Sequence, residues 1–150
     1  MELLLSSYEF QNDVFDVARE FFNTTIDDTS VVKLDYEVLE TSVEMNIEVN
    51  STNGIKTYQK SFDTNMGEGV KSRLKLGLYD ALSDYFQKTN PYGCLTGVRP
   101  TKVAYSLMLK GMKLSEIPSY FRKNYRVSEE KIKLILDIIQ NQKPLERNDT

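Results

Sequence analysis

Between residues 32 and 49 apolar and polar side chains alternate one for one. Val32, Leu34, Tyr36 and Val38 alternate with Lys33, Asp35 and Glu37, and Val43, Met45, Ile47 and Val49 alternate with Glu44, Asn46 and Glu48. A period of two with one apolar face predicts antiparallel, half-buried strands whose acidic outer faces are solvated. Asn53 and Gly54 both tolerate positive φ and predict a turn, and residues 55–62 supply the returning strand.

Elsewhere the period shifts toward that of a helix. Residues 1–7 form a short apolar run that predicts a strand. Asn12 or Asp13 then offers an N-cap for a helix through about Phe22, with Val14, Val17, Ala18, Phe21 and Phe22 on one stripe. Residues 23–30, rich in Asn, Thr and Asp, read as a loop. The longest helix is expected over residues 70–87, with Val70, Leu74, Leu78, Ala81, Leu82, Tyr85 and Phe86 as its apolar stripe. Lys71, Arg73 and Lys75 lie near its N-terminal end, where the helix dipole disfavours cations. These elements give a β-α-β-β-β-α order and predict an α+β fold, a two-layer sandwich of a mainly antiparallel sheet with two helices.

A small three-helix C-terminal part follows. Pro100 suits a first helical position, and Val103, Ala104, Leu107 and Met108 carry a stripe to Gly111, a C-cap. Ser115 is placed to cap a short helix to about Lys123, with Pro118 in its first turn. Ser128 caps the last helix, with Glu129 and Glu130 in its first turn and Ile132, Ile135, Leu136 and Ile139 on its buried face. The expected division is a sheet domain over 1–89, a motif loop with three helices over 90–142, and a linker or tail over 143–150.

Composition narrows the chemistry. The 150-residue chain has no histidine and one cysteine, Cys94. That excludes a Ser-His or Cys-His nucleophile pair, a His-based metal site, a cysteine-only zinc site and an iron–sulfur cluster held by this chain alone. No apolar run approaches the roughly 20 residues of a membrane helix, and the N-terminal run is too short and lacks the cations of a signal peptide. A cytoplasmic chain is the expectation. Gly67 and Gly69 precede the long helix, but no G-x-x-x-x-G-K-[ST] pattern accompanies them, which argues against nucleotide binding.

The net charge of −3 conceals an asymmetry. Residues 1–69 carry 4 basic and 14 acidic side chains, a net −10, whereas residues 97–133 carry 9 basic and 3 acidic, a net +6. The basic third is either a solvated face or a surface that meets something anionic.

Residues 90–102, N-P-Y-G-C-L-T-G-V-R-P-T-K, crowd two glycines, two prolines and two cations between helices. Arg99 precedes a proline and is therefore expected to be extended. Thr96, Arg99, Thr101 and Lys102 would then surround a helix N-terminus, a candidate anion-binding or docking site. The alternative is that Arg99 and Lys102 pair with carboxylates of the acidic half. No residue set amounts to a catalytic or metal centre.

The run Leu95-Thr96-Gly97-Val98-Arg99-Pro100-Thr101-Lys102, with Tyr92-Gly93 before it, resembles the signature in the N-terminal region of HemZ-type proteins. These are oxygen-independent coproporphyrinogen III oxidase-like (coproporphyrinogen dehydrogenase) proteins of the radical SAM class. Leu78-Tyr79-Asp80 with Leu82 resembles the family's upstream helix, and Tyr125, Val127, Ser128, Glu129 and Lys131 its Y-x-V-S-x-x-K segment. The likeness covers about residues 74–142 by motif and the first 70 by pattern only. It departs at Tyr92, where the family more often has tryptophan, and at Cys94, where serine or threonine is usual.

The resemblance implies an accessory N-terminal domain of an enzyme of haem (porphyrin) biosynthesis. Its catalytic barrel would carry a [4Fe–4S] cluster on a C-x-x-x-C-x-x-C motif together with S-adenosylmethionine. None of those ligands is present, and the chain is expected to end where that barrel would begin. The implied partners are the radical SAM catalytic domain of the same full-length chain and a porphyrinogen polycarboxylate, with no cofactor in this chain and no membrane. A reading from another class is a helix-turn-helix nucleic-acid module built on the three C-terminal helices, with Arg122, Lys123 and Arg126 near the second. The pI of about 5.1 counts against it, as do Pro118 and the few base-reading side chains of the helix that would enter the groove.

Overall fold

A computed structural model describes residues 1–22, 29–64 and 68–148, with side chains as far as residue 141. The chain divides into two compact units, Met1–Thr89 and Asn90–Thr150. The first is an α+β sandwich and the second is helical, in accord with the predicted fold class.

The first unit runs β1 (Glu2–Leu5), α1 (Gln11–Ala18), β2 (Val31–Val38), β3 (Ser42–Ser51), β4 (Gly54–Asp63) and α2 (Val70–Phe86). Its sheet has the order β1-β2-β3-β4, with β1 parallel to β2 and the rest antiparallel. The register places Leu3, Leu5, Val32, Leu34, Val43, Met45, Ile47 and Val49 on the same face. That face packs under Val14, Val17 and Ala18 of α1 and Leu74, Leu78, Ala81 and Leu82 of α2, all buried. Each such aliphatic side chain contributes roughly 1.5–3 kcal/mol relative to exposure. The other face is polar: Lys33, Asp35, Glu37, Glu44, Asn46 and Gln59 point away from the helices.

Local chemistry refines several expected boundaries. α1 is capped at Phe10, not Asn12 or Asp13, and no side chain caps it. A turn closed by Gln11 N–H onto the Tyr8 carbonyl starts the helix early, leaving Asp13 in the first turn, where the dipole favours a carboxylate. The helix stops at Ala18, short of Phe22. Glu20, Phe21 and Phe22 each donate to the carbonyl three residues back, tighter turns that still bury both phenylalanines. In the β3–β4 turn only Gly54 is left-handed, at φ 91°, and Asn53 is not. Val38, expected on the buried face, is 53% exposed, being the last residue of β2. Residues 23–28 of the expected loop, and Gly67, lie outside the described residues.

α2 buries more than its predicted stripe. Arg73, Leu76, Gly77 and Tyr79 are also buried. A Cβ on Gly77 would come within 2.2 Å of Met45 Cε, so glycine lets the helix backbone lie close on β3. Arg73 escapes the unfavourable dipole by turning its Nε to the Asp63 carbonyl at 2.9 Å, with its guanidinium over the Phe62 ring. Near the other end, Tyr85 Oη accepts from the Ser51 and Asn53 amides at 3.2 and 3.0 Å and donates to the Gly54 carbonyl at 2.6 Å. One hydroxyl thus fixes the β3–β4 turn to α2.

The second unit contains α3 (Pro100–Leu109), a 3-10 turn at Leu114–Glu116, α4 (Ile117–Tyr125) and α5 (Glu129–Asn148). Gly111, at φ 103°, ends α3 as its C-cap pattern predicts. Ser115 lies inside the 3-10 turn instead of capping α4, and the Glu116 carboxylate accepts the Lys113 amide at 2.9 Å in its place. Ser128 caps α5 as expected, its Oγ accepting from Lys131 N–H at 3.3 Å. Ile132, Ile135 and Ile139 are buried and Leu136 partly so. α5 runs to Asn148, into the stretch read as a linker or tail; Lys, Leu, Glu and Arg there are all good helix formers.

Candidate functional site

The motif stretch folds into two parts. Tyr92 N–H donates to Asn90 Oδ1 at 3.2 Å and Gly93 N–H to the Asn90 carbonyl at 2.8 Å, a turn for which Pro91 is preset. Gly93 has φ 59°, and a Cβ there would lie 1.8 Å from the Tyr125 carbonyl oxygen. The two backbones touch because nothing intervenes. Cys94 N–H donates to the Tyr125 carbonyl at 2.9 Å, and Ser128 N–H to the Pro91 carbonyl at 2.8 Å. Lys131 Nζ sits 5.6 Å from the centre of the Tyr92 ring. The Tyr92-Gly93 segment and the Tyr125-x-Val127-Ser128 segment therefore hold each other. The Cys94 thiol is buried against the Asn124 carbonyl.

After Gly97, at φ 78°, the chain turns outward. Arg99 is extended, at φ −78° and ψ 127°, as its position before Pro100 predicts. It is the N-cap residue of α3, and its carbonyl accepts from Lys102 and Val103. Thr101 and Lys102 complete the first turn, which contains no acidic residue and no side-chain cap. Arg99 and Lys102 are exposed and, among the described residues, have no ion pair. Thr101 is half-buried, and the Thr96 hydroxyl is buried. The fold thus gathers Arg99, Thr101 and Lys102 onto one helix turn; Pro100 has no N–H and the Lys102 and Val103 amides are turned to the Arg99 carbonyl, so what the turn offers a carboxylate or phosphate is the positive end of the helix dipole and the two exposed cations. Thr96 stands apart upstream.

The sequence marks Lys131 as the lysine of the Y-x-V-S-x-x-K segment but gives no sign of its partner, which is an aromatic ring and not a charge. Sequence reasoning missed Asn124, buried with its Nδ2 on the Tyr120 carbonyl at 3.1 Å. The alternation of helix positions in α4 contains the signal for Asn124, since it shares the inward side with Phe121 and Tyr125.

Among the described residues no group of three or more carboxylate, thiol or imidazole side chains could hold a metal ion. No described helix is long and apolar enough to cross a membrane. The α4–α5 connection has the brevity of a helix-turn-helix, with Arg126 left-handed at φ 60°. Yet the helix after the turn opens with Glu129 and Glu130, and Arg122 is paired with Glu129 at 2.5 Å. A duplex backbone would meet carboxylates where a recognition helix needs neutral or basic groups.

The motif that carries the resemblance to coproporphyrinogen oxidase-like proteins thus stands at the head of the helical unit, which follows the α+β sheet unit in the chain. Comparison with known proteins agrees: over 117 residues the chain is 27% identical to the oxygen-independent coproporphyrinogen-III oxidase-like protein HemZ of Bacillus subtilis (strain 168). The match covers 75% of this chain and 23% of that protein, so the chain corresponds to less than a quarter of its relative's length. No family profile matches, and no solved structure matches.

Proposed function

We propose that this chain acts as an accessory N-terminal domain of an oxygen-independent coproporphyrinogen III oxidase-like enzyme of haem biosynthesis. In that role it docks on, or shapes substrate access to, a radical SAM catalytic barrel in the cytoplasm. The observation that carries the reading is the similarity to HemZ over three quarters of the chain. The two segments on which the motif resemblance rests also meet in space, at Cys94–Tyr125 and Ser128–Pro91.

The residues here do not fit the iron–sulfur cluster of such enzymes. A site-differentiated cluster takes three thiolates, whereas Cys94 is the single cysteine and is buried against a backbone carbonyl. Electron transfer therefore belongs to another part of such an enzyme. What this chain offers is charge: Arg99 and Lys102 on the first turn of α3 would give charge-assisted hydrogen bonds to the propionate carboxylates of a porphyrinogen.

Isothermal titration with coproporphyrin III, an air-stable tetracarboxylate, tests the substrate-access role. Weak binding that falls about tenfold in Arg99→Ala/Lys102→Ala is expected, corresponding to about 1.4 kcal/mol. Absence of binding would remove that role and leave docking. Docking is tested by titrating the chain with the HemZ segment that lies beyond the matched region. If neither binds, the proposal fails.

A further inference from the structure

β4 is one edge of the sheet, and hydrogen bonds just beyond the ladders show which of its residues face outward. Leu39 N–H donates to the Ser42 carbonyl, and Thr64 N–H donates to the Thr41 carbonyl. Antiparallel pairs alternate between bonded and non-bonded. In the observed registers β3 therefore bonds to β2 through Ser42, Glu44, Asn46 and Glu48, and to β4 through Val43, Met45, Ile47 and Val49. Their partners Phe62, Lys60, Tyr58 and Lys56 turn amide and carbonyl inward to β3. Ile55, Thr57, Gln59 and Ser61 turn theirs outward, all four are exposed, and among the described residues no group bonds to that outer row.

Sheets usually protect such an edge with proline, a bulge, or lysines that stand out from it. β4 has no proline, and its register with β3 is unbroken from Gly54 to Asp63. Its two lysines are drawn along their own strand on the helix side. Lys56 Nζ lies 2.7 Å from Asp84 Oδ2 and 5.2 Å from the centre of the Tyr58 ring, and Lys60 Nζ lies 6.0 Å from the same ring. Neither cation guards the open row.

We infer that this edge pairs with the same edge of a second copy, antiparallel, with Gln59 on the twofold axis. The outward groups of Thr57 then meet those of Ser61 in the other copy, and those of Gln59 meet their own equivalents. Side chains match in this register. Thr57 faces Ser61 and Gln59 faces Gln59 on the outer face, while Lys60 faces Tyr58 and Lys56 faces Phe62 on the helix side, each ammonium against an aromatic ring. An axis at Tyr58 would set Lys56 against Lys60, and one at Lys60 would set that lysine against itself. An axis at Thr57 would put Ser61 opposite the turn, and one at Ser61 would put Thr57 beyond Asp63. Glu44 and Glu48, beside Ser61 and Thr57 on β3, would lie three strand spacings from their counterparts in the other copy. That is roughly 14 Å, beyond the Debye length of about 8 Å at physiological salt, so the acidic outer face does not oppose the pairing. Nothing in it depends on the proposed role in haem synthesis.

Sedimentation of the full chain between about 10 μM and about 1 mM should show a monomer–dimer equilibrium. Gln59→Pro removes an outward amide and keeps the ladder to β3, so it should weaken dimerisation at least about tenfold with an unchanged circular dichroism spectrum. Gln59→Cys and Thr57→Cys test the register, with Cys94 buried and out of reach. Cα atoms of a bonded antiparallel pair are about 5.5 Å apart, within disulfide reach, whereas two Thr57 residues would stand about 13 Å apart along the strands. Under diamide Gln59→Cys should form a covalent dimer while Thr57→Cys stays monomeric, a comparison that decides even where Gln59→Pro does not fold. Three results would overturn the pairing: a parent chain that is monomeric up to about 1 mM, which would leave the edge to some other strand; a folded Gln59→Pro that dimerises like the parent; or Thr57→Cys cross-linking as fast as Gln59→Cys.

Discussion

Removing the Tyr85 hydroxyl isolates the link between α2 and the β3–β4 turn. In Tyr85→Phe the ring stays buried, 4.8 Å from the Phe86 ring in an edge contact, and the packing is unchanged. What disappears is an oxygen that accepts from two amides and donates to one carbonyl. A net hydrogen bond contributes about 0.5–1.5 kcal/mol, so three give about 1.5–4.5 kcal/mol. Thr52, Asn53 and Gly54 are exposed, so water can replace part of this, and about 2 kcal/mol is the expected loss. For a unit of this size that lowers the melting temperature by about 8–16 °C. Thermal melts followed by circular dichroism give the total, and hydrogen exchange at the Ser51 and Asn53 amides gives the location. A melting temperature within about 2 °C of the parent, with both amides still protected, would refute the reasoning.

Other substitutions test other parts. Gly93→Ala forces a Cβ to within 1.8 Å of the Tyr125 carbonyl at a left-handed φ, and should cost at least about 3 kcal/mol, seen as loss of dispersed amide signals from residues 90–148. Gly77→Ala meets the flexible end of Met45 at 2.2 Å and the Phe62 ring edge at 3.3 Å, both side chains and not backbone, and gains helix propensity, so its melting temperature should fall by less than that of Gly93→Ala. Ser128→Ala removes the cap on the Lys131 amide and should cost about 1 kcal/mol by urea unfolding. Asp84, bonded to Lys56 and Tyr58 at 2.7 Å, has its carboxyl held below the usual carboxylate range, first by the Lys56 bond and then by the Tyr58 bond. A depressed folded pKa stabilises above the unfolded value and is lost as pH falls through the folded one. The melting-temperature gap between the parent and Asp84→Asn should therefore be present at neutral pH and close on acidification below the normal carboxylate titration; a gap that persists there would refute the assignment.

The alternation of residues 32–49 carried most of the sheet unit, because one buried face leaves a strand little freedom of register. Ser128 and Arg99 were equally legible, since a hydroxyl before an acidic turn and a residue before proline each act on their own backbone. What the pattern hid was non-local. Gly77 has no periodic signature, and its role exists only once Met45 lies beneath it. Arg73 reads as a misplaced surface cation until the Asp63 carbonyl and the Phe62 ring are seen beside it. Phe10 starts α1 although Asn12 and Asp13 are the better caps, because the turn from Tyr8 fixes the first helical residue before either is reached.

The motif that carries the resemblance divides by exposure into residues with different duties. Tyr92, Gly93 and Cys94 face Tyr125, Ser128 and Lys131, and their spacing is set by backbone contact at Gly93. Such residues constrain one another through contact, and they report a fold before they report a reaction. Arg99 and Lys102 owe nothing to that packing: both are exposed, and neither has an ion pair among the described residues. A surface cation with no structural duty is cheap to exchange, so replacing both should leave the stability within about 1 kcal/mol of the parent's. If Arg99→Ala/Lys102→Ala melts with the parent yet loses coproporphyrin III, the pair is functional; if it unfolds the helical unit, the division by exposure is wrong and the whole motif is structural.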